Sequence, residues 1–270
     1  MARIDTGLAD IGWMDTLASR DTPLHRLDPR AKLLTTFVYI LTVLSYSRYE
    51  IAALAPFIIY PAVLMALGDV PLRFIVRKLA IVSPFAIFIG IFNPVFDRHV
   101  VFTVGSLAVT GGWVSFTSIM FRFVLTLGST LVLVAATGIH NICRGLEQLG
   151  VPKAFTLQVM VLYRYLFVLV DEGARMVRAR ALRTFGSRGT GLSVYGHMLG
   201  NLLLRTLDRA QRIHLAMNCR GFDGHVRTMH ECRWRFADTM FLLGWSGLFV
   251  LLRLVNLPHW LGSVIAGGMR

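Results

Sequence analysis

A chain of 270 residues that is 55% hydrophobic, with a mean hydropathy of +0.60, lies far outside the composition of a soluble globular domain. Its 28 Lys and Arg against 15 Asp and Glu give a net charge of +13. Several uncharged stretches reach spanning length, so that charge reads as membrane topology rather than as a nucleic-acid surface, and no nucleic acid is expected as partner.

In chain order, residues 1–32 hold Asp5, Asp10, Asp15 and Asp21 and no apolar stretch of signal-peptide type, and are expected to be a cytoplasmic segment. Uncharged runs at 33–47, 51–68, 79–96 and 123–139 predict four membrane helices, each spanning or nearly spanning about 30 Å of hydrocarbon at about 1.5 Å per residue. A fifth, 236–252, tolerates Asp238 near its start, and the tail 254–266, interrupted by Pro258 and Gly262, is left open. The resulting division is 1–32, transmembrane helices over 33–139, a cytoplasmic module over 140–235, and a last span with its tail over 236–270. Arg73, Arg77 and Lys78 in one loop, with Arg144 and Lys153 after the fourth span, place those segments and the N-terminus on the cytoplasmic side. The alternating stretch VVFTVGSLAVTGG within 97–122 predicts a short hairpin on the opposite side. Cys143, Cys219 and Cys232 form no CxxC pair or even framework and are expected as free thiols in a reducing cytoplasm.

The segment 154–220 reads as two long amphipathic helices, with a turn at FGSRGTG, 185–191. Val159, Tyr163, Leu166, Val170, Ala174, Val177 and Ala181 recur at three- and four-residue spacing in the first. Leu192, Tyr195, Leu199, Leu202, Thr206, Ala210, Ile213 and Met217 do so in the second. Interleaved charges argue that neither crosses a bilayer. Arg164, Asp171, Arg175 and Arg178 share the face opposite the first stripe, whereas Arg180 projects beside it. Each helix thus ends on an arginine between small residues, Ala179-Arg180-Ala181 and Cys219-Arg220-Gly221, followed by Phe185 or Phe222. Helix-dipole complementation accounts for one such arginine, but the repetition suggests two plugs for a groove bearing carboxylates. Arginine's planar fork, dominant here because only Lys32, Lys78 and Lys153 are lysines, suits acidic protein partners. Nearer the N-terminus, Asp28 is placed to cap a helix, Pro29 suits its first turn, and Arg30 with Lys32 would anchor that helix end at the interface.

The stretches HRLDPRAKLL (25–34), LEQLGVPKAF (146–155), YRYLFVLVDEGARMVRARALR (163–183) and MNCRGFDG (217–224) resemble the transmembrane T components of energy-coupling factor transporters, most closely the cobalt-type CbiQ family. The resemblance implies an all-α integral membrane protein with about five transmembrane helices and two cytoplasmic coupling helices. It further implies docking of Arg180 and Arg220 into two ATPase subunits, and membrane helices that hold a substrate-binding S component of the cobalt-type, CbiM-like kind. ATP and Mg2+ would bind in the ATPase subunits, and this chain would carry no cofactor. Ala179, Ala181, Cys219 and Gly221 complete the two motifs, Arg183, Phe185 and Phe222 support them, and Asp28, Pro29, Arg30 and Lys32 form a possible third interface. The family pattern is Ala-Arg-Gly, so Ala-Arg-Ala and Cys-Arg-Gly depart from it in the flanks and keep both arginines. Nickel, or less readily a vitamin, stands beside cobalt as cargo.

No G-x-x-x-x-G-K-[ST] phosphate loop is present, and no serine has a positioned base, so a non-catalytic subunit is expected. Asp171 is placed to pair with Arg175 at i,i+4. Cys219, His225, His230 and Cys232 lie within fourteen residues but match no common zinc spacing, and no metal site is expected. The rival reading is a self-contained secondary permease, which would need a midplane site or an inverted repeat, and neither is visible.

Overall fold

The computed structural model describes residues 22, 24–47, 51–96, 100–104, 107–183, 191–224 and 234–254. The chain divides into two compact units, Met1–Gly145 with Cys232–Arg270, and Leu146–Glu231.

In the first unit, α1 (Pro29–Leu44) opens as its residues dictate. Asp28 is extended, its Oδ1 accepts the Arg30 N–H at 2.9 Å, and Pro29 takes the first helical position. The run at 51–68 is not one straight helix. It folds as α2 (Ile51–Leu54), a 3-10 turn (Ala55–Ile58) and α3 (Ile59–Leu67), breaking where Pro56 removes a backbone donor. Next, α4 (Leu72–Gly90) starts after Pro71 and carries Pro84 inside it. Arg73, Arg77 and Lys78, expected in a loop, occupy its first turns instead. After α5 (Phe92–Phe96), β1 (Val100–Val104) pairs antiparallel with β2 (Leu107–Thr110), Val104 opposite Leu107, with an irregularity between Val100 and Phe102. The alternating stretch therefore forms the hairpin its pattern predicts. The connection that holds it is shorter than the expected 97–122, because α6 (Gly111–Thr137) begins at Gly111 rather than at 123. Gly138, at φ +75°, turns the chain into α7 (Ile139–Gln148). The last described element of the unit is α10 (Phe236–Leu254), and the tail beyond it lies outside the described residues.

The core lies between α1, the 3-10 turn, α3 and α10. Tyr39, Phe57, Tyr60 and Phe249 are almost fully buried, with Tyr39 4.7 Å from Tyr60 and 5.3 Å from Phe249 between ring centroids. Trp245 adds an edge-on contact to Tyr60 at 5.1 Å. Both tyrosine hydroxyls find partners, as buried polar groups must: Tyr39 donates to the Phe57 carbonyl at 3.0 Å, and Tyr60 meets the Thr36 hydroxyl at 2.8 Å. Such ring pairs contribute about 0.5–1.5 kcal/mol each beyond their burial.

The second unit holds α8 (Lys153–Arg183) and α9 (Leu192–Cys219). Apart from the one hairpin, the described fold is helical, that of an all-α integral membrane protein. Among the described residues, four helical segments are long and apolar enough to cross a membrane: Leu72–Pro94, Gly111–Thr137, Lys153–Arg183 and Phe236–Leu254. Three fall on expected spans, and the outward rings Phe85 and Phe88, 68% and 65% exposed, suit a hydrocarbon surround. Two corrections follow. The first two expected spans are shorter helices, α1 having 16 residues, or about 24 Å at 1.5 Å per residue. Conversely α8, read as too charged to cross, meets the criterion because Arg164 is its only charge between Ala154 and Val170. The remainder of its charge lies in 171–183.

Candidate functional site

Helices α8 and α9 form an antiparallel pair. Glu172 faces Arg205, a side chain at Gly173 would meet Leu202 at 3.8 Å, and Arg180 meets Tyr195 and Met198, so numbers rise on one helix as they fall on the other. The predicted stripes are visible in the burial pattern: Val159, Tyr163, Val170, Ala174 and Val177 of α8 and Leu202, Thr206, Ile213 and Met217 of α9 are partly covered. Leu166, Ala181, Tyr195, Leu199 and Ala210, assigned to the same stripes, are exposed. Arg164, Asp171, Arg175 and Arg178 share an exposed face as their spacing predicts.

The expected Asp171–Arg175 pair does not form. Arg175 reaches Glu172 instead, Nη2 to Oε2 at 2.8 Å and i,i+3, and Arg205 of α9 takes the other oxygen at 2.9 Å. One carboxylate thus bridges two guanidinia and two helices. Both arginines are well exposed, so the bridge sets register more than it stabilises.

The two arginine motifs differ in backbone. Arg220 is the C-cap of α9, and Gly221 follows at φ +74°. Phe222 N–H donates to the Met217 carbonyl at 3.1 Å and Gly221 N–H to the Asn218 carbonyl at 3.0 Å. This is a Schellman ending, and the left-handed residue it needs is the glycine of Cys219-Arg220-Gly221. Cys219 and Arg220 are exposed at that tip, with Phe222 partly covered. Arg180, by contrast, is not terminal: α8 continues through Ala181 and Leu182 to Arg183, with Leu182 and Arg183 exposed. Ala181 permits this, since alanine favours the helix that glycine would end. Arg180 is half-buried, its Cζ 5.0 Å from the Tyr195 ring centre and its Nη1 3.8 Å from Met198 Sδ, while Ala179 beside it is exposed. Phe185 lies outside the described residues.

The N-terminal motif belongs to the first unit. Asp28 is buried and caps α1 as predicted, and its own N–H donates to Asp238 Oδ1 at 2.8 Å. Asp238, read as merely tolerated in the last span, is 1% exposed, and its Oδ2 accepts the Arg235 N–H at 2.7 Å. It therefore caps its own helix from the third position while holding the start of α1. Pro29 is buried and Arg30 partly covered, with its Nε 3.9 Å from Asp28 Oδ1. Lys32, expected to anchor at the interface, is instead buried at 3% exposure.

Residues 139–148 form α7, a helix that the sequence reading did not delimit. Ile139, Ile142, Cys143, Leu146 and Leu149 had the helical spacing to reveal it. It too ends in a Schellman pattern, with Gly150 at φ +102°, Val151 N–H on the Leu146 carbonyl at 3.1 Å, and Pro152 beyond. Gly145 packs on α1, where a Cβ would lie 2.8 Å from Leu33 Cδ1 and 3.2 Å from Pro29 Cβ. Cys143 is a free, buried thiol whose pKa burial pushes up. His225, His230 and Cys232 lie outside the described residues, and among the described residues no three His, Cys, Asp or Glu side chains converge as a metal site would require.

The chain was compared with known proteins. Residues 20–231 match the family model described as CbiQ, cobalt transport protein. The energy-coupling factor transporter transmembrane protein EcfT of Listeria innocua is 28% identical over 251 residues, covering 85% of this chain and 94% of that protein. EcfT of Leuconostoc gelidum is 30% identical over 225 residues, covering 76% and 81%. The cobalt transport protein CbiQ of Rhodobacter capsulatus is 29% identical over 98 residues, 36% of this chain and 40% of that one. With the match spanning both the membrane helices and the arginine-bearing pair, the chain belongs to the CbiQ family, as a transmembrane T component of an energy-coupling factor transporter.

Proposed function

We propose that this subunit couples ATP hydrolysis by two partner ATPase subunits to substrate uptake through a membrane-embedded S component. One observation carries the reading. Arg180 lies at the level of Met198 on α9, and Arg220 ends the same helix 22 residues later (220 − 198), a separation of about 33 Å at 1.5 Å per residue. Two cationic tips that far apart on one continuous rod suit two separate acidic grooves better than a single one, and a rod transmits displacement between them.

In this reading the chain itself is not an enzyme. ATP and Mg2+ bind in the ATPase subunits, and binding energy there is converted to motion of α8 and α9. Arg183 and Phe222 flank the tips and add to the same contacts. The cargo is cobalt, supported by the family description and by the CbiQ name of the Rhodobacter relative, and carried by a CbiM-like partner. The protein sits in the bacterial cytoplasmic membrane with its N-terminus and the α8–α9 pair inside. In this reading α8, though apolar enough over 154–170 to cross, lies against the inner face, held there by the charge of 171–183. The basic residues Arg73, Arg77, Lys78, Arg144 and Lys153 support that side.

The test is copurification. Arg180→Glu with Arg220→Glu is expected to release both ATPase subunits from a membrane-inserted, folded chain and to abolish cobalt uptake by the assembled transporter. Retention of the ATPases at wild-type ratio would overturn the proposal. Cobalt uptake by this chain alone, in vesicles without ATP, would favour the permease reading instead.

A further inference from the structure

We propose that the face of α9 between the two arginine tips is a basic rail, formed by Arg205, Arg209 and Arg212, that meets a carboxylate-bearing surface of the ATPase pair and steers those subunits onto the tips. The inference rests on the docking reading above and extends it to residues outside both motifs. At about 100° per residue, Met198, Arg205, Arg209, Arg212 and Arg220 fall within about 80° of one another around α9. Met198 marks the level of Arg180, whose Nη1 lies 3.8 Å from its Sδ. The rail therefore runs along the side of the rod that carries both tips. At about 1.5 Å per residue its three arginines stand about 11, 17 and 21 Å beyond Met198, in the interval that separates the tips.

Those charges are available to a partner. Arg209 and Arg212 are exposed, and among the described residues neither is in an ion pair. Asp208, four residues before Arg212, holds the one carboxylate of the stretch 202–219 and is itself exposed and unpaired. Arg205 gives an N–H to Glu172 at 2.9 Å yet stays 64% exposed, and Glu172 commits its other oxygen to Arg175. Solvated guanidinia spaced along one helix face set up a positive potential that a surface of carboxylates answers on approach. Anionic lipid headgroups carry the complementary charge too, but the apolar side of α9 points elsewhere. Leu203 and Leu207, 60% and 52% exposed, stand two residues before and after Arg205, each about 160° around the helix from it. A bilayer that takes those leucines turns the rail toward water, where the ATPase subunits are.

The experiment titrates purified ATPase subunits onto the full-length chain in detergent and reads association and dissociation rates at about 0.05 M and about 0.3 M salt. Arg209→Gln with Arg212→Gln is expected to slow association about tenfold at the lower salt, to leave dissociation within about twofold, and to flatten the salt dependence, as charges at the rim of an interface do. Neither side chain is bonded within the fold, so this variant is expected to fold as wild type does. Arg164→Gln with Arg178→Gln removes the same charge from the exposed face of α8 and is expected to associate like wild type. Arg180→Glu with Arg220→Glu, in the same assay, tests the docking reading itself. If that variant keeps its ATPases, the docking reading and the rail fall together. If it releases them while the Arg209/Arg212 variant associates at the wild-type rate and salt dependence, the rail alone is overturned. Equal slowing in the Arg164/Arg178 variant would reduce the effect to net charge and overturn the rail as well. So would unchanged ATPase association combined with lost binding to phosphatidylglycerol vesicles, which would assign the rail to headgroups.

Discussion

The backbone N–H of Asp28 donates to Asp238 Oδ1 at 2.8 Å across 210 residues, and the other oxygen of the same carboxylate takes the Arg235 N–H at 2.7 Å. One buried side chain therefore starts two membrane helices, α1 and α10, whose far ends meet again at Tyr46 and Arg253. Removing it leaves one buried and one partly buried donor without an acceptor, each costing about 1–3 kcal/mol. Asp238→Ala is expected to lower stability by about 3 kcal/mol in mixed-micelle unfolding. Asp238→Asn, which keeps one carbonyl oxygen, should lose about half of that. An alanine variant as stable as wild type would show that the two contacts carry no stability.

Gly221 holds φ +74° at the end of α9, a conformation that costs an L side chain about 1–2 kcal/mol. Gly221→Ala is expected to fray the Schellman ending, so that the Gly221 and Phe222 amides exchange with solvent several-fold faster, and to displace Arg220 with them. Nothing lies within 4 Å of a Cβ built there, so the strain is conformational and not a clash. Ala181→Gly restores the family's usual motif at the other tip, yet Ala181 lies inside α8. There glycine is expected to cost about 1 kcal/mol of helix stability. Protection unchanged at residues 221 and 222 in the first variant would refute this account of the motif.

These contrasts show what the sequence disclosed and what it withheld. Local signals were legible: the Asp28-Pro29 helix start, the alternation that became β1 and β2, and the stripe through Val159, Tyr163, Val170, Ala174 and Val177. Each depends on neighbours within a turn or a pleat. Relationships across the fold were not legible. Asp238 looks like a liability in an apolar run until its partner, 210 residues away, is known. The i,i+4 rule favoured Asp171 for Arg175, but Glu172 was recruited by Arg205 of the facing helix and drew Arg175 to itself. Likewise, the alanine after Arg180 reads as a conservative change within the motif, while in the fold it decides that the helix runs on.

The two described cysteines differ in ways that thiol chemistry can read. Burial raises the Cys143 pKa and so reduces its thiolate fraction at any given pH, besides denying access to the sulfur. Cys219 is exposed beside Arg220. In a Cys232→Ser background, maleimide is expected to modify Cys219 within minutes at pH 7.5 and to leave Cys143 unmodified until the chain is unfolded. Under the proposed function, bound ATPase subunits protect Cys219 as well. Equal labelling of Cys219 with and without those subunits would place the contact elsewhere.

Arg180 has a partner within its own unit, and docking into an ATPase groove requires it to leave the Tyr195 ring or to carry that ring along. A cation–π contact at a partly exposed site is worth about 0.5–1 kcal/mol. If the guanidinium must let go, Tyr195→Leu relieves that cost, and ATPase affinity is expected to rise about two- to fivefold, the equivalent of the lost contact. If the ring travels with it as part of the docking surface, the same substitution weakens binding instead. Tyr195 is 45% exposed, and Met198 approaches Arg180 from the next turn of the same helix, which leaves the ring replaceable without disturbing the Glu172–Arg205 bridge. The direction of the affinity change, measured by titrating purified ATPase subunits onto the detergent-solubilised chain, therefore separates a held-back arginine from a preformed plug. No change in either direction would mean that the Tyr195 contact and ATPase docking are independent.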